Sequence, residues 1–241
     1  MILKKNIEVK SFGSLFFDEI PQVIGAQYSG EDFFIGDSVS KLTIPWCRIG
    51  QKWIATENIL LNIAWQELAA RNLIRGNPVK IDGQYYLCRI LNGDAIGVGD
   101  TEWDKALIST TRDDEFWHWQ SHFSWSSRLH EEEDGTRKAY VHGGTSANDI
   151  NFFLVAARYS RIGFRPVLEP MAPPKAITKR AIGKHIQVYG PAGKVGGVLK
   201  DFSEYDLVIE GDLFDGSDDW MATDGKTITV DRGQLVYWNR V

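Results

Sequence analysis

The sequence predicts an α+β protein of two domains. Three observations carry this: one helical segment, a set of short strands set off by glycine turns, and a proline cluster between two parts of different texture. The helix is read from TENILLNIAWQELAARNLIRGN, where Ile59, Leu60, Ile63, Ala64, Leu68 and Leu73 recur at helical spacing. Thr56 serves as its N-cap, and Gly76 lies just past its end. The period then changes: VKIDGQYYLCRIL is two apolar runs around Asp82-Gly83, a strong short signal for a two-residue hairpin. TEWDKALI predicts a second, short helix, FWHWQSHFSWSSR is aromatic and irregular, and KAYVHGG and IGFRPVLE are late strands. In LEPMAPPKAITKR, prolines at 170, 173 and 174 disfavour helix and remove ladder donors, so a linker is placed at 169–177 between domains 1–168 and 178–241. Beyond it, HIQVYG, KVGGVLKDF, YDLVIEGDLF, KTITVD and QLVYWNR read as five strands, enough for a small closed or nearly closed barrel.

Composition narrows the function classes. A chain of 241 residues that is 43% hydrophobic and 24% charged is globular and long enough for two cores. A net charge of -5 argues against a general phosphate-binding surface. Cys47 and Cys88 sit inside apolar strands, the usual place of an inert, reduced thiol. No apolar run approaches the ~18 residues of a membrane span, and the start shows no secretory pattern; the expectation is a cytoplasmic protein with no membrane partner. Seven of the nine tryptophans precede residue 126, which means either an aromatic core or an aromatic surface; burial decides between them.

Motifs that invite chemistry fail on spacing. In GPAGKVGG two residues separate Gly190 from Gly193 and Val195 follows Lys194, which is not a phosphate loop. GDLFDGSDDW, with Asp212, Asp215, Asp218 and Asp219, lacks the alternate oxygens and closing Glu of a calcium loop. The acidic run Glu131 to Asp134 reads as a solvated loop. His118 and His122 have the i, i+4 spacing of a helical zinc pair, but the segment does not look helical and offers no third ligand. No nucleophile elbow is present. Neither a metal nor a cofactor is expected.

Two resemblances add to this reading. RKAYVHGGTSANDINFFLVAARYSRIGFRPVLE resembles the closing segment of the C-type-lectin-like fold of the formylglycine-generating enzyme (sulfatase-modifying factor) superfamily, with Gly143-Gly144, Arg158 and Gly163-Phe164-Arg165 in matching order. The resemblance extends loosely over residues 40–169. The enzymes of that family rely on a cysteine pair near this segment; residues 139–169 contain none, so it implies a non-enzymatic relative. It also implies ligand binding through the loop before the last strand, which offers Ser146, Asn148, Asp149, Asn151, Arg158 and Tyr159, together with Trp117 and Trp119. Residues 178–241 are similar to an Sm-like barrel: Gly197, Leu199, Asp206, Leu207 and Ile209 follow its first signature, and Leu235-Val236-Tyr237 closes the second. Such barrels form rings and many bind RNA, which here would fall to Lys200, Tyr205, Asp206 and Arg232. Acid at Asp206 and Asp231 opposes phosphate.

The expectation is therefore a C-type-lectin-like domain followed by a five-stranded Sm-like β-barrel. It is a non-enzymatic ligand-recognition or structural protein, a homo-oligomer through its C-terminal domain, binding a protein, peptide or glycan. A phage or prophage origin, with a virion location, follows from the resemblance alone. The alternatives are an RNA-binding regulator, with RNA not favoured, and an enzyme using an aromatic cleft around Trp117, Trp119 and His122.

Overall fold

The computed structural model describes residues 7–92, 101–171, 177–190, 193–216 and 220–240, and divides into two compact units, Met1–Pro170 and Met171–Val241. In the first unit the strands are β1 (Val9–Phe17), β2 (Ile20–Gln22), β3 (Ala26–Gln27), β4 (Phe33–Gly36), β5 (Thr43–Ile49), β6 (Lys52–Ala55) and β7 (Leu60–Leu61). Helix α1 (Trp65–Ala70), β8 (Asn77–Ile81), β9 (Gln84–Ile90) and helix α2 (Glu102–Ser109) follow. Then come β10 (Phe123–Glu131), β11 (Arg137–Gly143), β12 (Ile150–Leu154), β13 (Ile162–Phe164) and β14 (Pro166–Pro170). One sheet runs β2-β1-β5-β6-β14-β9-β8, with β4 also on β1; the other runs β12-β11-β10-β13-β7-β3.

Several elements form where the sequence places them. Asp82 and Gly83 take φ of 50° and 79°, the positive pair a two-residue hairpin needs, and β8 pairs with β9 around them. Thr101 caps α2 by accepting from the Asp104 N–H at 3.0 Å. The long helix expected after Thr56 does not form. Leu60–Leu61 pairs with β13 on one side and β3 on the other, Asn62 turns the chain at φ 61°, and α1 starts only at Trp65. Helical spacing and burial on both faces of a short strand select the same apolar residues here, and the strand pairing prevails.

With 51% strand, 10% helix and two α-helices among the described residues, the architecture is mostly β with curled sheets, which overturns the expected α+β class. The tryptophans go to the core: Trp46, Trp53, Trp65, Trp103, Trp117, Trp119 and Trp125 are all buried. Buried indole N–H groups need acceptors, and five find them: Trp46 donates to Phe12 O, Trp65 to Ser126 O, Trp103 to Ala147 O, Trp117 to Thr110 Oγ1 and Trp125 to Ile63 O.

IGFRPVLE is not one closing strand. Arg165 alone separates β13, paired with β10 and β7, from β14, paired with β6 and β9, so the chain changes sheets at this residue. Pro166 opens the interior strand β14, a position where its missing N–H is tolerated. The Arg165 side chain is fully buried. Its Nε donates to Ser124 Oγ at 3.0 Å, Nη1 to the carbonyls of Ala55 and Thr56, and Nη2 to Trp117 O at 2.8 Å. The guanidinium lies 4.2 Å from the Trp119 ring centroid and within 6 Å of those of Trp103 and Trp117. Burial pulls its pKa down to about 9, and it stays charged at neutral pH.

In the second unit β15 (His185–Gly190), β16 (Gly193–Phe202), β17 (Asp206–Gly216), β18 (Met221–Thr223), β19 (Thr227–Asp231) and β20 (Tyr237–Arg240) form one antiparallel sheet, ordered β18-β19-β17-β16-β15-β20. Register shifts after Gly196 and Leu199 curl it around Ile186, Val188, Val195, Leu199, Leu207, Ile209 and Val230. The expected five-stranded Sm-like barrel is not shown: β18 occupies the outer edge of β19, and among the described residues no pairing joins that end to β20. The linker core at 172–176, Pro191–Ala192 of the glycine motif and Asp218–Asp219 of the acidic motif lie outside the described residues. No helix among the described residues is long and apolar enough to cross a membrane.

Arg165→Met removes the side-chain donor from three buried carbonyls, each worth about 1–3 kcal/mol when left unpaired, and from the Ser124 hydroxyl, which keeps its bond to Asn58 Oδ1. Urea unfolding should show a loss of about 3 kcal/mol or more. Arg165→Lys, which keeps the charge without the planar fork, should recover only part of it.

Candidate functional site

The loop expected to display ligand-binding groups spends most of them on itself. The Asp149 carboxylate accepts from Thr145 Oγ1, from the Ser146 N–H at 3.1 Å and from Ser146 Oγ at 3.1 Å, which holds its pKa below the usual carboxylate range, the Thr145 bond first. Asn151 Oδ1 accepts the Phe152 N–H of the edge strand β12 at 2.8 Å, Asn148 is exposed, and Tyr159 packs edge-on against Phe153, centroids 5.0 Å apart.

Arg158 is exposed yet fully occupied. It forms a two-nitrogen bond to Glu67 on α1, donates to Ser29 O at 3.2 Å and lies 4.8 Å from the Tyr28 ring centroid. Burial raises the Glu67 pKa, but the Arg158 hydrogen bonds and the Ala64 N–H outweigh it and the net shift is down. Glu31 caps the same turn by accepting the Ser29 and Gly30 N–H groups at 3.0 Å, and hydrogen bonding, from the Ser29 hydroxyl first, lowers its pKa to about 2.

The aromatic-cleft reading is corrected by burial. Trp117 and Trp119 have no exposed surface and frame Arg165, so they cannot receive a ligand. His118 is exposed in a turn at φ 51° and His122 is half-buried; the segment is not helical, so their spacing does not bring the imidazoles to one face. Among the described residues no three His, Cys, Asp or Glu side chains converge as a metal site. In the second unit, Tyr205 stands 75% exposed at the β16–β17 turn and Asp206 is exposed beside it. Lys200 is paired with Glu210, and Arg232 donates to Ser203 O at 2.6 Å while lying over Phe202. The cations expected to meet RNA are thus compensated or used to hold the turn.

Two groups of titratable side chains in the first unit are structural. Arg89 forks onto Glu102, which also takes Lys52 at 2.8 Å, while Glu169 meets both cations; these four charges tie α2 to β6, β9 and β14. Burial pushes Glu102 up, but the Arg89 bonds outweigh it and its pKa falls to about 2. His142, on β11 across from Ser124, is buried, and among the described residues neither its ring nitrogens nor the Trp119 indole N–H has a hydrogen-bond partner. Desolvation lowers the His142 pKa to about 4; Asp104 opposes the shift and Arg165 adds to it.

A cavity of about 390 Å³ opens elsewhere in the first unit, at residues that no sequence motif marks. Its apolar wall is Phe33, Phe34 and Ile35 of β4, Leu73, Val79 of β8 and Phe164 of β13, with Cys88 of β9. Its polar groups are Asp32, Arg71, Asn72 and Asn77. The turn after α1 shapes it: Asn72 adopts φ 58° and Gly76 φ 128°, where a Cβ would run into Leu87 at 2.5 Å, so the turn closes only with glycine. Burial pushes the Cys88 thiol up to about 12, which leaves it protonated and unreactive.

Arg71 is held loosely. Nη2 donates to Tyr28 Oη at 3.2 Å and to Glu31 O at 3.3 Å, Nη1 to Glu67 O at 3.4 Å, and Asp32 lies 3.7 Å away with its side chain 83% exposed. Its Nε–H is buried with no acceptor among the described residues, while the guanidinium sits 4.8 Å from the Phe33 ring centroid. Comparison with known proteins gives no match: no family model, no curated protein and no solved structure. The two family resemblances therefore rest on the motifs of the sequence alone.

The pH dependence of stability follows from His142 and Glu102. His142 takes a proton at 6.5 when unfolded but only near 4 when folded, so its contribution is intact above pH 6.5 and falls as pH drops to 4. The loss is about 3 kcal/mol by the energy of a pKa shift. Glu102 contributes above its unfolded value of 4.5, and that contribution is lost as pH falls toward 2. Urea midpoints measured against pH should decline in these two windows, and His142→Leu should flatten the upper one alone.

Proposed function

We propose that the protein is a non-enzymatic ligand-recognition protein, with the cavity beside Arg71 in its first unit as the recognition site. The observation that carries this is the lining: apolar side chains of β4, β8 and β13 stand beside one cation, one carboxylate and two amides, so a single concave site offers both apolar and polar contacts to a small molecule. The volume of about 390 Å³ suits one small ligand or one side chain of a partner. Its titratable lining, Asp32, Arg71 and Cys88, supplies no activated nucleophile with a base beside it, which supports recognition over catalysis. The second unit presents two open sheet edges, β18 and β20, among the described residues, and open edges support assembly of copies of the chain. Assembly would multiply a weak site by avidity.

An NMR fragment screen should give hits that shift the amides of residues 32–35 and 71–79, and Val79→Trp, which fills the cavity, should abolish them while leaving the melting temperature within a few degrees. A screen with no hits there refutes the reading. Light scattering across a wide concentration range should give a mass above that of one chain; a monomer throughout removes the assembly role.

A further inference from the structure

We infer that the cavity takes a free apolar α-amino acid as its zwitterion, with Arg71 receiving the carboxylate, Asp32 the ammonium, and the wall of Phe33, Leu73, Val79 and Phe164 the side chain. This deepens the recognition reading above and rests on it. Arg71 and Asp32 are the ionised groups of the lining, one of each sign and 3.7 Å apart, a separation close to that of the two charges of an amino acid. A ligand bearing only a carboxylate would bring it against Asp32, and one bearing only an ammonium would bring it against Arg71. A zwitterion satisfies both without leaving a net charge in a partly apolar site.

The state of the two side chains supports the assignment. Arg71 makes only long hydrogen bonds, between 3.2 and 3.4 Å, and has one buried N–H without an acceptor, in contrast to Arg158, which is closed onto Glu67. A guanidinium held this way is prepositioned by the Phe33 ring and unsaturated as a donor. Asp32 fixes its turn through its backbone, which exchanges bonds with Asp18, and its carboxylate is left to the solvent side of the cavity. The phenyl rings and aliphatic groups of the lining favour an apolar side chain over a charged one.

The test titrates the full chain with L-phenylalanine, N-acetyl-L-phenylalanine and L-phenylalaninamide, following the residue 71–79 amides by NMR. L-Phenylalanine should bind, and each blocked form should bind at least about tenfold more weakly, since each forfeits one charge-assisted contact. L-Glutamate should not bind. Asp32→Asn, a change at an exposed side chain, should weaken L-phenylalanine by about tenfold and bind the N-acetyl form no more weakly, since the carboxylate facing it is gone. Equal binding of all three ligands, no binding of L-phenylalanine, or an Asp32→Asn variant with full affinity overturns the inference. In those cases, fragment hits that Val79→Trp removes leave the recognition reading standing; their absence removes both.

Discussion

Arg165 occupies the point where the chain leaves one sheet of the first unit and enters the other, and the packing of that unit is organised around its charge. A fully buried guanidinium is costly unless every donor and the charge itself are met. Here carbonyls from β6 and the segment after it, a hydroxyl from β10 and a carbonyl from the Trp117 turn meet the donors, while three indoles face the ion. These partners come from parts of the chain more than forty residues from Arg165, so the side chain can be buried only when all of them have assembled. Gly143 belongs to the same arrangement: at φ 106° it packs against the Trp119 ring, where a side chain would collide.

This constraint explains why the tryptophan-rich region is not a binding surface. Trp103, Trp117 and Trp119 are committed to the arginine and to one another, and the loop that follows uses Asp149, Ser146 and Asn151 to satisfy its own backbone. Arg158 and Tyr28 pin that region to α1. The cavity at Arg71 lies elsewhere in the same unit, and there the cation makes only long hydrogen bonds.

Local chemistry was legible where a few neighbouring residues decide the outcome. The Asp82-Gly83 hairpin, the short helix α2, most of the acidic loop after β10 and the strands of the second unit follow from turn, periodicity and alternation rules. The segment 56–64 was not legible in this way, since its apolar spacing fits a helix as well as a short strand buried on both sides. The cavity left no trace in the sequence: Asp32, Arg71, Asn72 and Asn77 are ordinary surface residue types, brought together by the pairing of β4, β8 and β13 with their neighbours.

The sequence by itself determined two parts of different texture, a core rich in aromatic residues or a surface of the same kind, and turns where glycine or aspartate permits a positive φ. Tertiary structure alone decided that the tryptophans of the first unit are buried, that one arginine is the joint between two sheets, and that the sheet of the second unit curls with no pairing between its two end strands among the described residues. The reason is physical. Burial and charge compensation depend on which distant strands pair, and a one-residue change of register or of sheet moves every side chain of a strand to another environment.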